Sequence, residues 1–106
     1  RFVDPSDPQA FENATDDKTR AYYAETFLNP KLKVFPISEV SVIGKKYWIL
    51  LIIDDTASPV ICRPFDHGAA IVVYSLTKYI GGHGNSIGGL IIDSSNIDWE
   101  GAGKER

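Results

Sequence analysis

Residues 49–53, with the sequence ILLII, constrain the fold of this chain more than any other feature. The apolar residues follow one another without the polar alternation of a half-exposed strand, and Asp54 and Asp55 end the run. We expect such a strand to be covered on both faces, as in parallel sheets whose strands are joined through helices. Residues 47–53 form the longest apolar run, which is far shorter than a membrane span. The sequence therefore predicts an α/β fold with a mostly parallel sheet and flanking helices.

Three further segments are predicted to be strands of the same sheet. Residues 21–26 are rich in aromatic side chains, residues 69–74 read AAIVVY, and residues 87–93 read IGGLIID. Residues 29–36 contain two prolines and are predicted to form a loop.

Helices are predicted in two places. Apolar side chains recur every three or four positions between residues 37 and 47, which indicates an amphipathic helix with Ser38 as its N-cap. This helix and its neighbouring strands make residues 21–53 a βαβ unit. The first twenty residues contain Asp-Pro turns, so short helical turns capped by Asp4 or Asp7 are expected there.

Composition excludes several classes of function. With 106 residues, 43% of them hydrophobic and 24% charged, the chain has room for one small domain. The net charge is −3 and the basic residues are scattered, so neither nucleic acid nor a membrane surface is an expected partner. A single cysteine, Cys62, indicates a cytoplasmic location. The chain has no methionine and starts at Arg1, and it is expected to be a piece of a longer protein.

Polar side chains follow two of the predicted strands. Asp54 and Asp55 end one strand, and Ser75, Thr77 and Lys78 follow another. In open α/β sheets, ligands bind at this carboxyl edge. A partly desolvated lysine can bond an aldehyde, and hydroxyls beside glycines can hold a phosphate. Pyridoxal phosphate carries both groups and needs a carboxylate at its pyridine nitrogen, for which Asp54 is the candidate and Asp55 the alternative.

These residues have other interpretations. A lysine after a strand is commonly a solvated surface residue. The glycine-rich stretch fails the dinucleotide fingerprint because Ile87 occupies the third glycine position, and Lys78 precedes the glycines where a P-loop lysine follows them. His67 and His83 do not stand at ligand spacing from the aspartates, so no metal site is predicted.

Three segments carry a family resemblance: ETFLNPKL, DDTASPVICRPFDHGAAIVVYSLTKYIGGHG and SIGGLIID. In their order and residues, these segments resemble the pyridoxal-phosphate enzymes of cysteine and methionine metabolism, and among these the O-acetylhomoserine sulfhydrylases. The resemblance implies the large, cofactor-binding domain of the aspartate-aminotransferase-like (type I) fold, of which residues 1–106 would be an incomplete central part. It also implies a homo-oligomer, specifically a homotetramer.

The resemblance assigns roles to five residues. Lys78 would be the Schiff-base lysine and general base, Ser75 and Thr77 would bind the cofactor phosphate, and Asp54 would pair with the pyridine nitrogen. Asn29 would lie near the phenolic oxygen of the cofactor or the substrate carboxylate. The implied reaction replaces the acetate of O-acetyl-L-homoserine with sulfide or a thiol. Cystathionine gamma-synthase or methionine gamma-lyase activity is the alternative, because these enzymes share the lysine segment.

The sequence also departs from the family pattern. Asp55 stands in place of an asparagine, and one residue before Ser58 is missing, so a disturbed pKa is expected at the neighbouring carboxylate. Trp48 and Leu50 stand where relatives have glycine and proline. Several family elements that complete the site lie outside these residues. The isolated chain is therefore predicted to be inactive, and a catalytically silent remnant with a structural role is a further alternative.

Overall fold

The computed structural model describes residues 1–28 and 30–98 of the chain. Its helices and strands are, in chain order, α1 (Pro8–Ala14), β1 (Ala21–Glu25), β2 (Phe27–Leu28), β3 (Lys33–Val34), α2 (Ile37–Lys46), β4 (Leu50–Asp54), β5 (Ile71–Ser75) and β6 (Gly89–Asp93). A 3₁₀ turn at Pro64–His67 precedes β5, and a π-helical turn at Leu76–Ile80 follows it.

The main sheet has four strands in the order β1-β4-β5-β6. β1, β4 and β5 run parallel, and β6 pairs with β5 in the antiparallel direction. α2 connects β1 to β4, so the predicted βαβ unit is present. The prediction of an α/β fold with a mostly parallel sheet and flanking helices is confirmed.

Two details of the prediction are wrong. α2 begins at Ile37, two residues earlier than a Ser38 cap requires, and the Pro36 carbonyl accepts a hydrogen bond from the Val40 amide at 3.1 Å. The Ser38 hydroxyl instead lies 3.4 Å from Nδ1 of His67. The predicted loop at 29–36 contains strand β3, which pairs with β2 as a short hairpin.

The predicted cap of the first helix is confirmed at Asp7. Its carboxylate accepts a hydrogen bond from the Gln9 amide at 3.0 Å, and Pro8 occupies the first helical position, where its missing N–H costs nothing.

The hydrophobic core lies between one face of the sheet and the two helices. Leu51, Ile53 and Val72 point from the strands into this layer and are at most 2% exposed. The Phe11 ring of α1 packs edge-on against the rings of Tyr22 and Phe35, with centroids 5.4 and 5.7 Å away. All these side chains belong to one buried cluster, which fixes the helices on a single side of the sheet.

The opposite face of the sheet is open in the described part of the chain. In β4, Leu50, Ile52 and Asp54 are half-buried while the alternate residues are buried. Tyr23 and Ile91 lie on the same face by register and are 58% and 75% exposed. The prediction that residues 49–53 are covered on both faces is therefore wrong for the described residues.

Candidate functional site

Asp54 is the last residue of β4 and lies on the open face of the sheet. Its Oδ2 accepts a hydrogen bond from the Tyr23 hydroxyl at 3.1 Å, and its Oδ1 accepts one from the Thr56 amide at 3.0 Å. Partial burial, and after it the charge of Asp54 and this hydrogen bond, raise the pKa of Tyr23. Both contacts hold the carboxylate in one direction at the carboxyl edge.

Ser75 ends the neighbouring strand and shares the open face with Asp54. Asp54 pairs with Val73 in the register, and Ser75 lies two residues further along the strand, on the same face. The Ser75 amide donates to Oγ1 of Thr56 at 2.8 Å, so Thr56 joins the ends of β4 and β5. Within residues 1–28 and 30–98 the Ser75 hydroxyl has no hydrogen bond, which leaves it available to a ligand.

Lys78 lies in the π-helical turn that follows β5. The Gly81 amide donates to the Leu76 carbonyl at 2.8 Å, and the helical backbone is interrupted at Lys78, which has φ −90° and ψ −112°. A side chain at position 81 would place its Cβ 2.6 Å from the Leu76 carbonyl oxygen, so the turn requires glycine there. The Lys78 amine is exposed and makes no ion pair with any described residue.

Thr77 is partly engaged within the protein. Its Oγ1 accepts a hydrogen bond from the Gly88 amide at 3.1 Å, and it lies 3.5 Å from the Gly88 carbonyl oxygen. The second distance is at the outer limit of a hydrogen bond, so the hydroxyl proton has only a weak acceptor inside the protein. Thr77 can therefore donate to a phosphate while it still accepts from Gly88.

Asp55 faces the opposite way and is completely buried. Its Oδ1 accepts hydrogen bonds from the hydroxyls of Thr26, at 2.7 Å, and Ser58, and its Oδ2 accepts one from Tyr74 at 3.0 Å. These contacts occupy both oxygens, so Asp54 and not Asp55 is the carboxylate that faces the open side. Burial, and after it the contact with Asp55, raise the pKa of Tyr74 to about 12.

The carboxyl edge thus brings Asp54, Ser75, Thr77 and Lys78 onto two adjacent strand ends and the turn after them. Asn29, the fifth predicted site residue, lies outside the described residues. Cavities of about 830 Å³ beside β1 and about 700 Å³ near Trp48 are lined by other residues. The candidate site is therefore an open edge in the described chain.

The described residues form neither a metal site nor a membrane-spanning helix. Across residues 1–28 and 30–98, no group of three or more histidine, cysteine, aspartate or glutamate side chains is arranged to hold a metal ion. None of the helices formed by these residues is long and apolar enough to cross a membrane.

The fold and the edge residues define a class of protein: an α/β domain that can hold a ligand with both an aldehyde and a phosphate at the carboxyl ends of its strands. The chain belongs to the Cys/Met metabolism PLP-dependent enzyme family, whose sequence model matches residues 1–104. The family resemblance predicted from the motifs is confirmed.

Individual relatives agree with this assignment. An O-acetyl-L-homoserine sulfhydrylase from Leptospira meyeri is 55% identical over 99 residues, which are 92% of this chain and 22% of that protein. A homocysteine/cysteine synthase from Saccharomyces cerevisiae is 42% identical over 94% of this chain and 23% of its own length. The chain therefore spans about a quarter or less of these relatives.

A solved structure supports the type I fold. The chain superimposes with a TM-score of 0.82 on a cystathionine gamma-lyase from Lactobacillus plantarum, described as complexed with L-serine. The two are 38% identical, and the match covers 88% of this chain and 25% of the other.

The residues at the edge fit pyridoxal 5'-phosphate, the cofactor that the family name specifies. A ring nitrogen that must stay protonated needs an anionic acceptor, and the Asp54 carboxylate faces the open side. A phosphate needs hydrogen-bond donors, and the Ser75 hydroxyl makes no hydrogen bond to any described residue. An aldehyde needs an amine, and that of Lys78 is exposed.

Proposed function

We propose that this chain is the central part of the cofactor-binding domain of an enzyme that replaces the acetate of O-acetyl-L-homoserine with sulfide or a thiol. The single observation that carries the proposal is the shared edge: a carboxylate, a hydroxyl without a described partner and an exposed lysine amine follow adjacent parallel strands. The choice of acyl ester follows the 55% identity to the sulfhydrylase from Leptospira meyeri.

Each residue would have a distinct task. Asp54 would hold the proton of the cofactor's ring nitrogen, Ser75 and Thr77 would donate hydrogen bonds to its phosphate, and Asn29 would orient the phenolic oxygen or the substrate carboxylate. Bound pyridoxal phosphate supplies an electron sink next to the substrate's α carbon. Nζ of Lys78 would anchor the cofactor covalently and, once the substrate has taken its place, would remove the α proton and carry protons between carbon atoms.

Covalent attachment at Lys78 is the direct test. The protein that carries this chain is mixed with pyridoxal phosphate, reduced with borohydride and digested, and mass spectrometry locates the pyridoxyl group. We expect the group on Lys78, and we expect Lys78→Ala to abolish the label. Lys18→Ala, which removes another exposed amine, is the matched control and should label like wild type. Equal labelling of several lysines, or no labelling, contradicts the proposal.

The reaction is tested on the same protein. Sulfide and O-acetyl-L-homoserine should give homocysteine, and succinylated homoserine should react more slowly. A second candidate function, elimination to a 2-oxo acid without any thiol acceptor, is supported by the likeness to the gamma-lyase structure. Formation of that product in the absence of sulfide and thiol favours the lyase, and a cystathionine product formed with cysteine favours the synthase.

Labelled protein that forms no product would favour the remaining alternative, a catalytically silent remnant with a structural role. The cytoplasmic location and the homotetramer stay predictions. Gel filtration with light scattering of the same preparation tests the second of these.

A further inference from the structure

Asp55 is a buried ionisable residue that the proposed mechanism does not use. It is 0% exposed, and the hydroxyl groups of Thr26, Ser58 and Tyr74 surround its carboxylate. These three residues come from different parts of the fold: the segment after β1, the loop after β4, and strand β5. One side chain therefore joins the ends of all three parallel strands.

The chemistry of the cluster favours an acceptor at position 55. A hydroxyl group has one proton to donate, and a carboxylate has acceptor sites for all three donors at once. A buried carboxylate without such partners would be costly, and a buried hydroxyl without an acceptor would be too. An apolar side chain at position 55 would leave three hydroxyls without their acceptor, and those of Thr26 and Ser58 belong to buried residues.

Backbone hydrogen bonds link the position of Asp55 to that of Asp54. The Asp55 amide donates to the Val73 carbonyl at 3.0 Å, and the Thr26 amide donates to the Asp54 carbonyl at 3.0 Å. Successive side chains of an extended segment point to opposite sides, so the buried Asp55 fixes the direction in which Asp54 points. The Thr56 amide, which holds Oδ1 of Asp54, follows directly.

We propose that Asp55 is a positioning residue, which aims the Asp54 carboxylate at the open edge by holding three strand ends through their hydroxyl groups. The inference rests on the proposed cofactor role of Asp54. What position 55 supplies is an acceptor of suitable shape and not a negative charge. An asparagine can keep Thr26 and Ser58 on its carbonyl oxygen and donate from its amide to the Tyr74 oxygen, so Asn should substitute for Asp.

The test compares Asp55→Asn and Asp55→Leu in the protein that carries this chain. In the cofactor-free protein, amide hydrogen exchange is followed at Thr56 and Ser75, and at Ile53 inside β4 as an internal reference. We expect Asp55→Leu to speed exchange at Thr56 and Ser75 at least about tenfold more than at Ile53, because the strand ends loosen first. Asp55→Asn should stay within about threefold of wild type. Asp17→Asn changes the same charge on an exposed residue and should have no effect.

Cofactor affinity is the second readout, measured by equilibrium dialysis of pyridoxal phosphate. Asp55→Leu should weaken binding about tenfold or more, as is typical when the support of a binding residue is lost, and Asp55→Asn should restore it. Exchange that accelerates equally at all three amides, or an Asn variant as impaired as Leu, overturns the proposal. If Asp55→Leu does not fold, Thr26→Val and Tyr74→Phe each remove one donor and should give smaller changes of the same local pattern.

The two inferences can fail separately. Wild-type protein that binds no pyridoxal phosphate contradicts the proposed function, while the exchange measurement on cofactor-free protein still decides whether Asp55 holds the strand ends. Normal affinity in Asp55→Leu with normal labelling of Lys78 overturns the positioning role alone.

Discussion

Replacing Tyr74 by phenylalanine removes one hydroxyl from the buried cluster and leaves the ring in place. The lost contact is the hydrogen bond from the Tyr74 hydroxyl to Oδ2 of Asp55, 3.0 Å long and made to a fully buried carboxylate. Hydrogen bonds to charged groups contribute about 1.5–3 kcal/mol net, and because Tyr74 is only half-buried, water can replace part of the lost contact. We expect Tyr74→Phe to lower the free energy of unfolding by about 1–2 kcal/mol near neutral pH.

The raised pKa of Tyr74 makes the effect of this substitution depend on pH. The pKa of Tyr74 is raised from 10.0 to about 12, first by burial and then by Asp55. A raised phenol pKa means that the unfolded chain loses its proton first, so this stabilisation is complete below pH 10 and is lost as the pH rises towards 12. Two pH units correspond to at most about 2.7 kcal/mol, which solvent screening of a half-buried group reduces to about 1–2 kcal/mol.

Urea unfolding of wild type and Tyr74→Phe, followed by circular dichroism at several pH values, measures both quantities. The gap between the two proteins should be largest at about pH 8 and should have narrowed clearly by about pH 11. Tyr79→Phe is the control, since Tyr79 is 69% exposed, and it should change stability by less than about 0.5 kcal/mol. A gap of constant size across this pH range would refute the reasoning.

Two further predictions concern the packing of the helices. Gly44→Ala should lower the free energy of unfolding by about 1–2 kcal/mol in the same assay, because the new Cβ would lie 2.7 Å from the Ile49 carbonyl oxygen. Gly89→Ala is the control and should be close to neutral, since its new Cβ would have its nearest neighbour at 3.8 Å. Equal effects of the two substitutions would contradict this prediction. A hydrogen bond from the Lys46 ammonium, and after it those from Tyr47 and Gln9, lower the pKa of Glu12 from 4.5 to about 2. This stabilisation is present above pH 4.5 and is lost as the pH falls towards 2. Between these pH values, Glu12→Gln should therefore lose less unfolding free energy than wild type. Parallel curves of unfolding free energy against pH for the two proteins would contradict this prediction.

The strands could be predicted from the sequence because their signals are local. Residues 21–26 and 69–74 correspond to β1 and β5 within one or two residues, and residues 49–53 correspond to β4. The direction of β6 could not be predicted, because its sequence is equally compatible with a parallel or an antiparallel neighbour. Coverage of the open face could not be predicted either. An unbroken apolar run indicates that a strand is covered on both faces, but it does not identify the segment that covers it.

The candidate site was predictable to the extent that its residues end or follow strands. Asp54, Ser75 and the Lys78 turn do so, and the parallel pairing of β4 with β5 brings them to one edge. The hydroxyl cluster was missed because no local pattern marks it: Thr26 and Asp55 are 29 residues apart in the chain. The one usable signal was the aspartate at a position where the family resemblance predicts asparagine, which points to position 55 but not to its three partners.

The backbone at Trp48 has an unfavourable conformation for a residue with a side chain. Its φ is 57°, in the left-handed region where glycine is favoured, and its side chain is 75% exposed. A glycine, which the family resemblance predicts at this position, would adopt the turn without strain. The tryptophan therefore lowers stability at the amino end of β4, which is the opposite end of the strand from the candidate site.

The geometry of the candidate site is set by the protein itself. Backbone hydrogen bonds join the end of β4 to the segment after β1 and to β5, and Thr56 accepts from the Ser75 amide while its own amide donates to Asp54. A carboxylate held in this way does not have to reorient when a cation approaches, which is what makes preorganised groups effective. Because these contacts lie within the described chain, the orientation of Asp54 depends on residues of this segment, whereas the open face above it depends on what covers the sheet.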